Sequence, residues 1–271
     1  MRISPLIPAT FALFVATSAF GDVDKGIELL NAGDVSGAAK QFADSYEAGD
    51  GEGAFYLGRL FELGLGTDKD EMRAANLYSA GADAGSSNAK LRLGLMYHEG
   101  RVLLRDYIEG TRLICEAADA GNVDAEFNCG LAYKTGRGVD ADMETAVRYW
   151  EQAAKAGNVP AINFLAQYYQ DAGEQQKAAD LFKQSADLGN AAGMFGYASI
   201  IGAGETPDLV NAYAYASLAV VRGHPDAGAF RDELEARMTS QDVLAAQAAA
   251  KAWTEARIAK ASTAADALVS Q

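Results

Sequence analysis

Apolar residues recur three and four positions apart along most of this chain, between short glycine-rich breaks. In Ala54-Phe55-Tyr56-Leu57-Gly58-Arg59-Leu60-Phe61 that spacing buries one face of a helix. Runs of Val, Ile and Thr are scarce and Ala is abundant, which also favours helix. The pattern itself repeats. Glycines closing helical stretches stand at Gly49, Gly85, Gly121, Gly157, Gly189 and Gly223, at intervals of 36, 36, 36, 32 and 34 residues. Such self-similarity marks a stack of like units. Nine residues after the marker glycine comes a small residue: Gly58, Gly94, Gly130, Ala166 or Ala198. Twelve after it comes an aromatic: Phe61, Tyr97, Tyr133 or Tyr169. Later in each unit stand a large residue (Tyr78, Ile114, Trp150, Phe182) and a small one (Ala82, Ala118, Ala154, Ala186).

Each column has a physical task. A mid-helix glycine costs about 1 kcal/mol against alanine, so Gly58, Gly94 and Gly130 need a packing reason, namely close approach of a second helix. Gly64-Leu65-Gly66 and Gly136-Arg137-Gly138 end the first helix of their units, because glycine permits the left-handed cap. Asp70 and Asp142 lie where an acid caps the second helix. Asn122, Asn158 and Asn190 suit the tight turn after the marker glycine. One helix pair cannot bury its apolar stripe alone, but stacked pairs can.

The segments Ala125-Glu126-Phe127-Asn128-Cys129-Gly130-Leu131-Ala132-Tyr133-Lys134-Thr135-Gly136-Arg137-Gly138-Val139 and Ala146-Val147-Arg148-Tyr149-Trp150-Glu151-Gln152-Ala153-Ala154 resemble a Sel1-like repeat, a relative of the tetratricopeptide repeat. The resemblance implies an all-α, right-handed α-solenoid of Sel1-like helix pairs with a C-terminal helical cap. Repeats are expected over 50–85, 86–121, 122–157, 158–189 and 190–223, the fourth lacking the long glycine loop. Residues 22–49 read as a degenerate N-terminal pair, 224–260 as capping helices anchored by Trp253, and 261–271 as a frayed tail.

The first 21 residues carry one charge at Arg2, a short apolar stretch and then small residues, the order of a secretory signal peptide cleaved after Ala19 or Gly21. A periplasmic or secreted protein follows. Without Arg2, 37 acidic residues face 22 basic ones, a net charge of −15. Such a surface disfavours nucleic acid and anionic membrane and favours basic peptides or protein faces.

Cys115 and Cys129 lie about seven residues either side of the Gly121-Asn122 turn, level with each other in an antiparallel hairpin. An oxidising compartment favours a disulfide between them; the alternative is two small buried hydrophobes. Cysteine-rich Sel1-like proteins carry a bridge across the same turn, nearer the loop and in every repeat, so that likeness is loose. His98 and His224 have no ligand at metal spacing and read as capping or solvent-facing. Neither a metal nor a cofactor is expected. No nucleophile elbow, phosphate loop or HExxH is present, so no catalytic residue is assigned and the chain reads as not an enzyme.

In tetratricopeptide-like stacks the first helix of each pair lines a concave face. Taking offsets 5, 8, 9 and 12 as buried leaves offsets 6, 10 and 13 as a free stripe. It holds Phe55, Arg59 and Glu62, then Leu91, Leu95 and His98, then Phe127, Leu131 and Lys134, and last Asn163, Gln167 and Gln170. Several are apolar, which suits a groove for a peptide or protein; the alternative is burial against neighbouring pairs. The expected function is an interaction scaffold, with an envelope sensor or assembly factor as partner. The resemblance also raises two alternatives: a β-lactam-binding or hydrolysing enzyme of the cysteine-rich type, and a secreted effector.

Overall fold

The computed structural model describes residues 22–269; the signal-peptide assignment for 1–21 lies outside the described residues. Among the described residues the chain forms fourteen α-helices and no strand. It divides into two compact units, the second beginning at Tyr107. The first holds α1 (Val23–Asn31), α2 (Val35–Glu47), α3 (Gly51–Leu63), α4 (Glu71–Asp83) and α5 (Ser87–Glu99). The second holds α6 (Tyr107–Asp119), α7 (Val123–Thr135), α8 (Met143–Lys155), α9 (Val159–Asp171), α10 (Gln175–Asp187), α11 (Ala191–Ile201), α12 (Leu209–Val221), α13 (Ala227–Glu235) and α14 (Ser240–Val269).

Helix starts are written in short polar residues. Asp50, Ser86, Asn122, Asn158 and Asn190 each accept a backbone N–H from the first turn of the helix they precede. The asparagines assigned to the turn are therefore N-caps, a column that includes Asp50 and Ser86, each cap worth about 1 kcal/mol. Asp70 and Asp142 cap α4 and α8 as their positions suggested. Thr239 and Asp242 cap α14 reciprocally, Asp242 N donating to Thr239 Oγ1 at 3.2 Å and Thr239 N to Asp242 Oδ2 at 3.1 Å.

The two glycines of each Gly-x-Gly loop do different work. Gly64 and Gly136 are left-handed C-caps, with φ of 69° and 67°. Gly66 and Gly138 are also left-handed, but each is pressed against the preceding helix pair. A side chain on Gly66 would meet Val35 Cγ1 at 2.8 Å, and one on Gly138 would collide with the Tyr107 carbonyl. Thr111, fully buried, locks the same loop by donating to Arg137 O at 2.7 Å.

Within a pair the small column faces the large one. A Cβ on Gly58 would lie 2.7 Å from the Tyr78 ring, and one on Gly130 would run into the Trp150 indole. Tyr78 and Trp150 are buried to 0% and 1% exposure in the space so made. The buried register differs from the one read from sequence. Offset 11 is inside, as Leu60, Met96 and Ala132, whereas the aromatics at offset 12 (Phe61, Tyr97, Tyr133, Tyr169) are half-buried. Each of those aromatics sits at the edge of the stripe, where its neighbours cover only part of the ring.

Between α9 and α10 only Ala172–Glu174 intervene, so the fourth pair is a plain helix hairpin. After it, α13 and α14 pack on α12. Ala246 is fully buried there, and Trp253 packs with Ala186, Met194, Leu218 and Ala219. Arg257 donates to the carbonyls of Asp187 and Leu188, closing the exposed end of α10. α14 runs on as helix to Val269, through the segment assigned as a tail, because its Ala-rich sequence contains no helix breaker.

Cys115 on α6 and Cys129 on α7 form a disulfide with Cα atoms 5.1 Å apart. It ties the second helix of one pair to the first helix of the next across a separation of 14 residues.

Two expectations follow. Gly130→Ala should destabilise the fold by about 2 kcal/mol in urea denaturation, since overpacking outweighs the helix-propensity gain of about 1 kcal/mol. Gly228→Ala, with nothing within 4 Å of the added carbon, should instead be neutral or stabilising. Equal effects at both sites would refute the packing account. Second, alkylation of the denatured, unreduced chain should label neither cysteine, and Cys115→Ser should lower stability by about 3 kcal/mol, the value for a loop of this length.

Candidate functional site

Three helices of the second unit frame a cavity of about 300 Å³. Helical periodicity aims one face of α9 into it. Asn163, Gln167 and Asp171 form one row, four residues apart, and Phe164 and Tyr168 form the row beside it. Trp150 of α8 makes the floor, fixed by burial and by its Nε1 donating to Phe127 O at 3.2 Å. Met143, 40% exposed, forms one rim, and Lys134 in the last turn of α7 forms another.

The rings interlock. Phe164 lies 5.2 Å from Trp150 and 5.5 Å from Phe127, the latter edge-to-face. The Lys134 ammonium sits 4.8 Å from the Phe164 centroid and 5.9 Å from that of Trp150, a cation over ring faces. Gln167 Nε2 donates to Asp171 Oδ1 at 2.8 Å. Asn163 Nδ2 donates at 3.1 Å to Asn190 Oδ1, which also caps α11. Asn163 Oδ1 is buried and receives no hydrogen bond.

Of the residues assigned to the free stripe, Lys134, Asn163 and Gln167 meet in this cavity. Phe127 and Leu131 pack half-buried on the core beneath it, so that part of the stripe is spent on contact between pairs. Gln170 is half-buried outside the lining. Phe164, Tyr168 and Asp171 occupy offsets 7, 11 and 14, the column next to the assigned stripe. Trp150 had been read as core, and it is core as well as floor.

The remaining stripe residues belong to the first unit. Phe55, Arg59, Leu91, Leu95 and His98 are half-buried on α3 and α5. Glu62 is not on a free stripe: it is 8% exposed. Tyr78 Oη donates to its Oε2 at 2.6 Å, Arg59 Nη1 to the same oxygen at 2.7 Å, and Arg92 Nε to Oε1 at 2.9 Å. Burial pushes the Glu62 carboxyl up. The bonds from Arg92 and Tyr78 and the charges of Arg92 and Arg59 outweigh it and hold the carboxyl down to about 2. The same contact and burial raise the Tyr78 phenol far above its ordinary value. His224 is half-buried: its ring stacks on Phe195 at 4.2 Å, and its Nδ1 accepts Asp226 N at 3.3 Å just ahead of α13, the capping alternative of its reading.

The Sel1 repeat family model matches residues 51–86, 87–122, 123–158, 159–190 and 191–224. The chain belongs to the Sel1 repeat family. These matches run one residue later than the repeats read from glycine spacing, and the cavity lies in the third and fourth Sel1 repeats. A Sel1 repeat protein from Oxalobacter formigenes superposes with a TM-score of 0.71 at 25% identity, over 88% of this chain and 100% of that one. The protective antigen c5321 of uropathogenic Escherichia coli, with an SLR fold, gives 0.61 at 21% identity over 86% of this chain and 60% of its own. Pseudomonas aeruginosa pilF gives 0.56 at 17% identity over 78% and 95%. No curated protein matches the chain. The fold class is thus the all-α solenoid of Sel1 helix pairs. Sel1 repeats generally mediate protein–protein interaction, and scaffolds of this family are mostly non-enzymatic.

The Glu62 network predicts acid sensitivity. Its folded pKa lies below the ordinary carboxylate value, so its stabilisation is present above about 4.5 and lost as pH falls toward about 2. Thermal unfolding followed by circular dichroism should show a stability loss across that window, and Glu62→Gln should flatten it while costing about 3 kcal/mol at neutral pH. An unchanged acid limb in Glu62→Gln would assign the loss to other carboxylates.

Proposed function

We propose that this Sel1 repeat protein is a periplasmic or secreted scaffold that seats a peptide or protein segment on the α7–α9 surface. One observation carries the reading: an aromatic-floored cavity opens on the first-helix face, with Trp150 rigidly placed beneath it and polar groups of α9 along one wall. Rigid aromatic floors with few polar groups are the usual make-up of binding clefts, and buried aromatics supply most of the contact energy at protein interfaces. The signal-like order of residues 1–21 supports export. Among the described residues no helix is long and apolar enough to cross a membrane. No observation favours the β-lactam or effector alternatives.

A photocrosslinking amino acid at Gln167, in cells expressing the full chain, should yield a discrete adduct in the exported fraction. The same amino acid at exposed Arg112 on α6 should not. Tyr168→Ala, on a half-buried rim position, should reduce the Gln167 adduct about fivefold, a loss near 1 kcal/mol. Equal adducts at the two positions, or none at Gln167, would remove this surface as the docking face. Retention of the chain in the cytosol would remove the export reading.

A further inference from the structure

The polar inventory of the cavity is one-sided. Asp171 has one oxygen engaged by Gln167 and is a pure acceptor when ionised. Gln167, having given its Nε2 to Asp171, presents a carbonyl oxygen. Asn163 Oδ1 is a buried acceptor with no donor, a state that costs free energy until something fills it. The Trp150 and Phe164 faces attract positive charge, and Lys134 shows it by resting its ammonium over both. Lys134 is exposed and sits on a flexible stem, and among the described residues its ammonium rests over rings and not in an ion pair. The chain as a whole is acidic, with a formal net charge of −14.

Resting on the scaffold reading above, we infer that the cavity takes a cationic side chain, arginine or lysine, of a basic partner segment, and that Lys134 is an internal stand-in which the ligand displaces. A guanidinium or ammonium carries only donors, so it answers the exposed oxygens of Asp171 and Gln167 while its charge lies on the rings. An anionic group would pair with Lys134 alone and would face Asp171, the free acceptors and the negative field of the protein. An apolar side chain would fill the volume but leave the acceptors unanswered.

The test uses the full oxidised chain and fluorescent nonapeptides of Ser and Gly that differ only at the central residue: Arg, Lys, norleucine or Glu. By fluorescence anisotropy the Arg and Lys peptides should bind about tenfold more tightly than norleucine and more weakly as salt rises. Lys134→Met should tighten the Arg peptide by about threefold, because the competitor is gone, and Asp171→Asn should weaken it by about fivefold. Both residues are exposed, and unchanged thermal unfolding in each variant confirms an intact fold. A preference for Glu, or weaker Arg binding in Lys134→Met, would overturn the cationic assignment and leave the scaffold reading standing. Binding of no peptide up to about 1 mM would also overturn it. The Gln167 crosslink separates that failure from failure of the scaffold, since it requires no knowledge of the occupant.

Discussion

The helix pairs of this chain rest on one steric exchange: a residue with no side chain on one helix, facing a ring on the other. Gly26 faces Phe42, Gly58 faces Tyr78, Gly130 faces Trp150, and between successive pairs Gly196 faces Phe182. A glycine within a helix costs about 1 kcal/mol, while full burial of a large apolar side chain contributes about 2–3 kcal/mol. The exchange is therefore favourable only if the ring truly enters the gap. The near-zero exposure of Phe42, Tyr78 and Trp150 says that it does. The consequence reaches the surface. Trp150 cannot move without colliding with α7, so Phe164, tilted against it, and the cavity above both inherit a fixed floor.

Much of this was legible in the sequence because the signals are local. A capping aspartate, a left-handed glycine and a small residue opposite a large one each act within a turn or one hairpin, so residue spacing located the repeats to within one residue and the glycine loops between their helices. What was not legible depends on a second helix. Single-helix periodicity could not say whether offset 11 or 12 faces inward, since the rings at offset 12 are partly covered by side chains of the following helix, Arg73 over Phe61 and Tyr149 on Tyr133. Glu62 looked free for the same reason. Two of its three partners, Tyr78 and Arg92, stand 16 and 30 residues on, and no helical spacing connects them to it. The asparagine column was read one step too early, as turn when it was cap, because a tight turn and a helix start occupy the same residue.

Two polar clusters, one around Glu62 and one on α9, show how saturation separates structure from site. Around Glu62 both carboxylate oxygens are engaged, by two arginines and a phenol, and the group is closed to any further partner. Around α9 the opposite holds: an amide oxygen is buried without a donor, and a carboxylate keeps one oxygen in reserve. Buried polar groups in folded proteins are nearly always satisfied, so the complete Glu62 network reports on the fold.

That asymmetry also explains how a repeat fold can carry a distinctive pocket. The stack supplies rigidity through contacts that recur in every pair, such as the caps and the ring-on-glycine seams. Specificity needs only a departure from the repeat at one place. Here the departure is the third-to-fourth junction. The aromatic Phe164 stands where the two preceding units have Arg92 and Asn128. At the same step the long glycine loop is replaced by the three residues Ala172–Glu174. Asp171, the last residue of α9, therefore sits at the rim beside a short turn, where the other units would continue into a loop. A short loop and one additional ring turn a generic seam into a pocket with a floor, a counter-charge and an unanswered acceptor.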